Sequence, residues 1–227
     1  MKQNAFIIGN SDGIGLGVTK KLLEKEWHVT GISKSAVPFE DNHYRHYLAD
    51  VSTPNYSKVL GSILIDTIPD LCLYCAGIGE KIDFARLENE INIFNVNLMG
   101  MVQTVTQVIP SMLQQKKGHF IGLSSVADIL LSEEAPSYNA SKAGFSNYLE
   151  GLGLALKETG VAVSNIRFGF VDTKMAKGDK KPFMISVDEA VRHVFACMSK
   201  KPVRYTAPKI IIPLVRFRRA MMELQLG

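Results

Sequence analysis

The chain has 227 residues, 46% of them hydrophobic and 21% charged, an ordinary globular composition long enough to bury a core within one domain spanning 1–227. The net charge of +4 comes from Lys and Arg spread along the chain, with one concentration after Lys200, which gives a nucleic-acid role little support. No apolar stretch reaches the roughly 18–20 residues of a spanning helix, residues 1–15 lack the pattern of a signal peptide, and three cysteines make no disulfide framework, so a cytoplasmic location is expected.

Taken in chain order, short apolar runs alternate with helix-length amphipathic segments. Residues 5–8 read as a first strand, and the segment after it carries Val18, Leu22 and Leu23 on one helical face. Strands are expected at 28–32 and 46–48, a helix at 59–68 and a strand at 71–76. Val102, Val105, Val108, Ile109 and Met112 line another helix, followed by a strand at 119–123, a helix at 138–156, a strand at 161–168 and a helix at 187–198. Such alternation of buried, β-branched strands with helices predicts an α/β fold, a doubly wound, Rossmann-like parallel sheet in a single domain. Residues 177–182 read as a mobile surface loop.

Gly9, Asn10, Ser11, Asp12, Gly13, Ile14 and Gly15 follow the first strand directly and lead into the first helix. Glycines in such a turn let the backbone approach a pyrophosphate, whose charge a helix N-terminus favours. The spacing is G-x-x-x-G-x-G, not G-x-G-x-x-G. About 20 residues on, where an NAD-binding fold presents an acid to the ribose, Ser33 and Lys34 stand instead. A hydroxyl and a cation suit a 2′-phosphate, so NADP(H) is the expected cofactor, with NAD(H) the alternative.

Cys72 and Cys75 form a C-x-x-C inside the apolar strand, where residues three apart point to opposite faces and cannot chelate one ion. No metal site is expected, and both read as core thiols.

Tyr138 and Lys142 project from one face of a helix one turn apart, and Ser125 ends the preceding strand at its carboxyl end, where α/β ligands bind. A Y-x-x-x-K pair alone says little. The order and spacing of Gly9/Gly13/Gly15, Asp50-Val51, Ala76-Gly77, Asn97, Ser125, Tyr138/Lys142 and the run from Gly169 through Val171 to Thr173 carry more. Together they resemble the classical short-chain dehydrogenase/reductases, from Ala5 to about Met175.

The resemblance implies an oxidoreductase that interconverts a carbonyl and an alcohol by hydride transfer, with Tyr138 as general acid or base. A free Tyr has a pKa near 10, so a cation is needed to stabilise its phenolate, and Lys142 would supply it while also binding the nicotinamide ribose. Ser125 would fix and polarise the substrate carbonyl, and Asn97 would hold a water in a relay to Lys142. Gly9, Gly13 and Gly15 would take the pyrophosphate, Asp50 and Val51 the adenine, and Thr173 the nicotinamide amide, with Cys75, Ala76, Gly77, Gly169 and Val171 along the same cleft. Two positions depart from the family pattern. Cys75 replaces an Asn and Phe168 a Pro, which is expected to loosen a strand-to-strand bond and the loop bearing Thr173.

The alternative is a non-catalytic NADP-binding sensor or a scaffold of the same fold, though such a protein would not need Tyr138 and Ser125. The substrate is a small carbonyl or alcohol, with no signature for its identity in the loop after Thr173. A homodimer or homotetramer is expected through helices at 100–113 and 138–156. The amphipathic tail, 213–227, sets Leu214, Phe217, Met221 and Leu224 on one face, expected to pack on the core or a partner subunit in preference to a membrane surface.

Overall fold

The computed structural model describes residues 3–37, 39–176 and 181–226, apart from the Gln225 side chain. Residues 177–180, within the expected surface loop, lie outside the described residues.

Seven parallel strands form one sheet in the order β3-β2-β1-β4-β5-β6-β7. They are β1 (Asn4–Ile8), β2 (His28–Ser33), β3 (Tyr44–Leu48), β4 (Leu71–Tyr74), β5 (Gly118–Ser125), β6 (Val161–Phe168) and β7 (Arg204–Ala207). The helices are α1 (Gly13–Leu23), α2 (Pro54–Asp66), α3 (Glu88–Phe94), α4 (Gly100–Gln114), α5 (Pro136–Ala155), α6 (Val187–Lys200) and α7 (Ile211–Gln225).

Alternation along each strand divides the core between the two faces. Phe6, Ile8, Cys72, Tyr74 and Phe120 pack with Leu60, Met101, Val105, Met112, Phe145 and Leu149, beneath α2, α4 and α5. Ala5, Ile7, Leu71, Leu73, Ile121 and Leu123 pack with Val18, Leu22, Val191 and Val194, beneath α1 and α6. The same alternation separates the C-x-x-C pair: Cys72 belongs to the first layer, whereas Cys75, only partly buried, packs against the second.

The strand order reverses between β1 and β4, so the chain leaves these neighbours in opposite directions and a crevice opens at their carboxyl ends. Three differences from the expected elements bear on it. Strand β4 ends at Tyr74, freeing Cys75 through Gly77 to line the crevice, although the Cys75 N–H still donates to the Ile8 carbonyl at 2.8 Å. The backbone bond beside Cys75 is thus present. The unexpected α3 continues through a π-helical turn at Asn95–Met99 into α4. The unexpected β7 extends the sheet beyond β6, and the Gly169 N–H donates to its Ala207 carbonyl at 3.0 Å. Phe168, standing where the resemblance expects Pro, is buried in the α1/α6 layer.

The tail differs most. Ile211 and Val215 of α7 are buried against Val126, Ile129 and Leu130, while Leu214, Phe217, Met221 and Leu224 face outward. Of the two sites expected for that face, the core and a partner subunit, the core does not take it. Among the described residues no helix is long and apolar enough to cross a membrane.

Candidate active site

The glycine turn is shaped by its own close packing. Gly9 has φ +86°, and a Cβ there would stand 2.5 Å from the Ala76 nitrogen, while one at Gly15 would stand 2.3 Å from the Gly9 carbonyl oxygen. Neither position admits a side chain. The turn therefore lies flat against the segment after β4 and aims the N-terminus of α1 into the crevice. Asp12 caps that helix, its Oδ1 accepting from the Gly13 N–H at 2.7 Å. An acid here opposes a phosphate, but Lys174 Nζ reaches Asp12 Oδ2 at 2.8 Å, and this hydrogen bond holds the carboxyl below its ordinary range. Gly13 completes the crevice from the other side, since a Cβ there would meet Thr173 Cγ2 at 3.3 Å. Backbone turn, helix N-terminus and balancing lysine fit a dinucleotide pyrophosphate.

At the far end of the crevice the arrangement departs from expectation. Ser33 is 5% exposed, and its hydroxyl donates to the Ser35 carbonyl at 2.8 Å and lies 2.9 Å from His46 Nε2. It is thus already engaged, which leaves Lys34, exposed at the strand end, as the group facing solvent. Asn10 is fully buried and donates from Nδ2 to the Tyr44 hydroxyl at 2.5 Å. Burial raises the Asp50 carboxyl, but hydrogen bonds from Ser52 and the charge of Lys34 outweigh it and hold the group below its ordinary range. Val51 is buried in the core.

The structure brings Asn97, Ser125, Tyr138 and Lys142 together around the loop after β4. Pro136 opens α5 at a position where its missing N–H costs nothing, which sets Tyr138 and Lys142 one turn apart beside the end of β5. Ser125 accepts from the Ala127 N–H at 3.1 Å and so starts a 3-10 turn, Val126–Ile129, and its side chain lies near enough to Tyr138 to favour the phenolate. Burial raises the Tyr138 hydroxyl above its ordinary value, and the neighbouring Ser125 side chain opposes the rise.

Lys142 is buried, with Nζ donating to the Leu123 carbonyl at 3.0 Å and standing 5.9 Å from the centre of the Tyr138 ring. Burial pushes its pKa down to about 8, against the opposing charges of Cys75 and Asp128. Asn97 lies in the π-helical turn, whose extra residue displaces its side chain from the α-helical register. Its Oδ1 accepts from the Ile78 N–H at 2.8 Å, and Nδ2 donates to the Ile78 carbonyl at 2.9 Å and to Ser141 Oγ at 3.0 Å. Both amide protons are therefore used within the protein. A Cβ on Gly77 would stand 3.4 Å from Asn97 Oδ1, 3.7 Å from Lys142 Nζ and 3.8 Å from Met175 Cε, so the loop after Thr173 closes over this floor.

Sequence reasoning missed four residues here. Asp128, three residues past Ser125, is buried in an ion pair with Arg167 of β6 and raises both Tyr138 and Lys142. Nothing in its position distinguishes it from a surface acid. Lys174 and Ser141 act through Asp12 and Asn97, and adjacency to Thr173 and Lys142 was the only available signal. Among the described residues, no group of three or more His, Cys, Asp or Glu is placed to hold a metal ion.

A family model described as short chain dehydrogenase matches residues 3–182. An uncharacterized oxidoreductase of Myxococcus xanthus is 34% identical over 126 residues, which span 54% of this chain and 50% of that protein. Another, of Staphylococcus saprophyticus, is 27% identical over 188 residues, or 76% of this chain and 80% of that one. Among solved structures, a short chain dehydrogenase from Burkholderia cenocepacia in complex with NADP superposes with a TM-score of 0.87 at 19% identity, over 100% of this chain and 98% of its own. A 4-hydroxyisoleucine dehydrogenase complexed with NADH superposes at 0.83 and 19%, covering 90% and 96%. With four-fifths of its length matched by the family model and the fold shared throughout, the chain belongs to the short chain dehydrogenases, a family of NAD(P)-dependent dehydrogenases and reductases.

Proposed function

We propose that this protein interconverts a carbonyl and an alcohol on a small molecule, with Tyr138 as the proton-transfer group and NADP(H) as the preferred cofactor. The observation that carries the reading is the gathering of Tyr138 and buried Lys142, one turn apart on α5 with Nζ 5.9 Å from the Tyr138 ring, beside Ser125 at the end of β5.

A bound nicotinamide supplies or accepts the hydride, chemistry that belongs to the cofactor. Gly9 to Gly15 and the α1 N-terminus hold the pyrophosphate, Asp50 and Val51 the adenine end, and Thr173, between Val171 and Lys174, the nicotinamide end. Ser125 directs its hydroxyl at the substrate oxygen. In reduction, Tyr138 Oη gives its proton to that oxygen; in oxidation, it takes the proton back. Lys142, charged below pH about 8, favours the phenolate that reduction leaves behind. Asn97 anchors the Ile78 loop against α5, keeping the floor beneath Lys142 in place.

Preference for NADP(H) rests on Lys34 at the end of β2 and on the lack of an acid there. Association as a homodimer or homotetramer is part of the same reading, and Tyr148 and Leu154 are exposed on α5 for it. The test is consumption of NADPH and NADH across aldehydes, ketones, sugars and acyl thioesters. Turnover with at least one class establishes the reading, and cofactor binding with no turnover anywhere replaces it with a sensor.

A further inference from the structure

Helix α7 carries two apolar faces, and only one is used. Ile211 and Val215 are 3% and 6% exposed against the 3-10 turn that follows Ser125, and Arg219 Nη1 fastens the helix there by donating to the Ile129 carbonyl at 3.2 Å. The second face begins with Ile210 and continues through Leu214, Phe217, Met221 and Leu224, at intervals of four, three, four and three residues. All five are exposed, Phe217 at 66% and Leu224 at 77%. At 1.5 Å per residue this makes an apolar ridge about 20 Å long.

The charges beside the ridge select its occupant. At about 100° per residue, Arg218 falls roughly 80° to one side of the ridge and Arg216 roughly 120° to the other. The helix has one acid, Glu223, and Arg219 Nε holds it at 2.6 Å. A second copy laid antiparallel with Phe217 at its centre would set Arg218 against its own counterpart. An anionic surface instead meets Arg218 beside the ridge, where Glu134 lies near enough to share its charge, and Arg216 farther round, each with a long stem that can lie on apolar material while its head stays at the polar boundary.

Two further apolar side chains are exposed near the buried face of α7. Leu131, just past the turn on which α7 packs, and Phe170, next to the Gly169 that abuts Ile211, are both exposed. These residues belong to the loops that leave β5 and β6 at the Ser125 and Thr173 end of the sheet.

We propose that α7 is a docking element for an anionic lipid bilayer, with Leu214, Phe217, Met221 and Leu224 entering the interface, Arg216 and Arg218 at the headgroups, and the mouth of the catalytic crevice held beside the lipid. The proposal does not depend on the redox reading.

It is tested by sedimenting the full-length protein with phosphatidylcholine vesicles containing about one-third phosphatidylglycerol, and with pure phosphatidylcholine vesicles, at low and high salt. Binding to the anionic vesicles, weakened by salt, is expected. The variants Phe217→Ser/Met221→Ser and Arg216→Glu/Arg218→Glu should each lose at least tenfold in affinity while keeping wild-type circular dichroism and mass. Because the arginine pair is exposed, its variant reports on docking even if the apolar one is poorly folded. Absence of binding to anionic vesicles, equal binding to pure phosphatidylcholine, or unchanged binding by the arginine variant would overturn the proposal. So would a solution mass that Phe217→Ser/Met221→Ser halves, which would assign the ridge to a second copy.

Discussion

Arg167 Nη2 stands 2.6 Å from Asp128 Oδ1, and the two side chains are only 11% and 3% exposed. The pair joins β6 to the turn that begins at Ser125, directly behind Tyr138 and Lys142. Breaking it by Asp128→Asn leaves the buried guanidinium with only the more distant Glu150 to oppose its charge, expected to cost up to about 3–5 kcal/mol in urea unfolding. Replacing both partners, Asp128→Leu with Arg167→Met, should cost much less. If Asp128→Asn unfolds like wild type, the pair has no structural weight.

Tyr138→Phe deletes the proton-transfer hydroxyl and keeps the ring that packs beside Gly79. Turnover should vanish while NADPH affinity stays within a few-fold, a split that separates a chemical role from a binding one. Lys142 adds a pH signature. Cofactor affinity should fall as pH rises through about 8, where the buried ammonium loses its proton, and Lys142→Met should flatten that fall. Titrations by nicotinamide fluorescence from pH 6 to 10 read both effects.

For cofactor choice, an exposed Lys34 contact to a 2′-phosphate is worth about 1–2 kcal/mol, or roughly a 5- to 30-fold preference for NADPH over NADH. Lys34→Ala should remove most of it and its salt dependence. Ser33→Asp is a less clean test, because the structure buries that position against His46, so the new carboxylate would meet the imidazole as well as the ribose. Tighter binding of NADH by the wild type would refute the assignment.

His119 supplies an acid limb to stability. It is buried with Nε2 at 2.8 Å from Ser164 Oγ, and burial pushes its pKa down to about 3. In the unfolded chain the same imidazole takes up a proton near pH 6.5. The folded value is depressed, so stability is full above pH 6.5 and is lost progressively as pH falls toward 3, by on the order of 5 kcal/mol at most. His119→Gln should flatten that limb, read as melting temperature against pH, with an unaltered slope disproving it.

Much of the molecule was legible without coordinates. Side chains at period two along Ala5–Ile8 and Leu71–Tyr74, and at helical spacing along α4 and α6, can be buried only between two helical layers. β7 was not legible, since Arg204-Tyr205-Thr206-Ala207 is an edge strand paired only with β6 and needs no continuous apolar run. The π-helical turn was equally hidden, because one extra residue in a helical turn leaves no compositional trace.

At the site, local spacing determined what lies one turn or one strand end apart: the glycine turn, Tyr138 with Lys142, and Ser125 at the end of β5. Tertiary structure alone decided what depends on groups distant in the chain. Burial against Phe145 and Leu123 lowers the Lys142 pKa, and a partner 39 residues away makes Asp128 a buried anion. His46 engages the Ser33 hydroxyl, and the turn after Ser125 takes Ile211 and Val215 and leaves Phe217 outside. Periodicity reports that a helix has an apolar face, but which of two such faces is covered depends on the shape of the surface it meets.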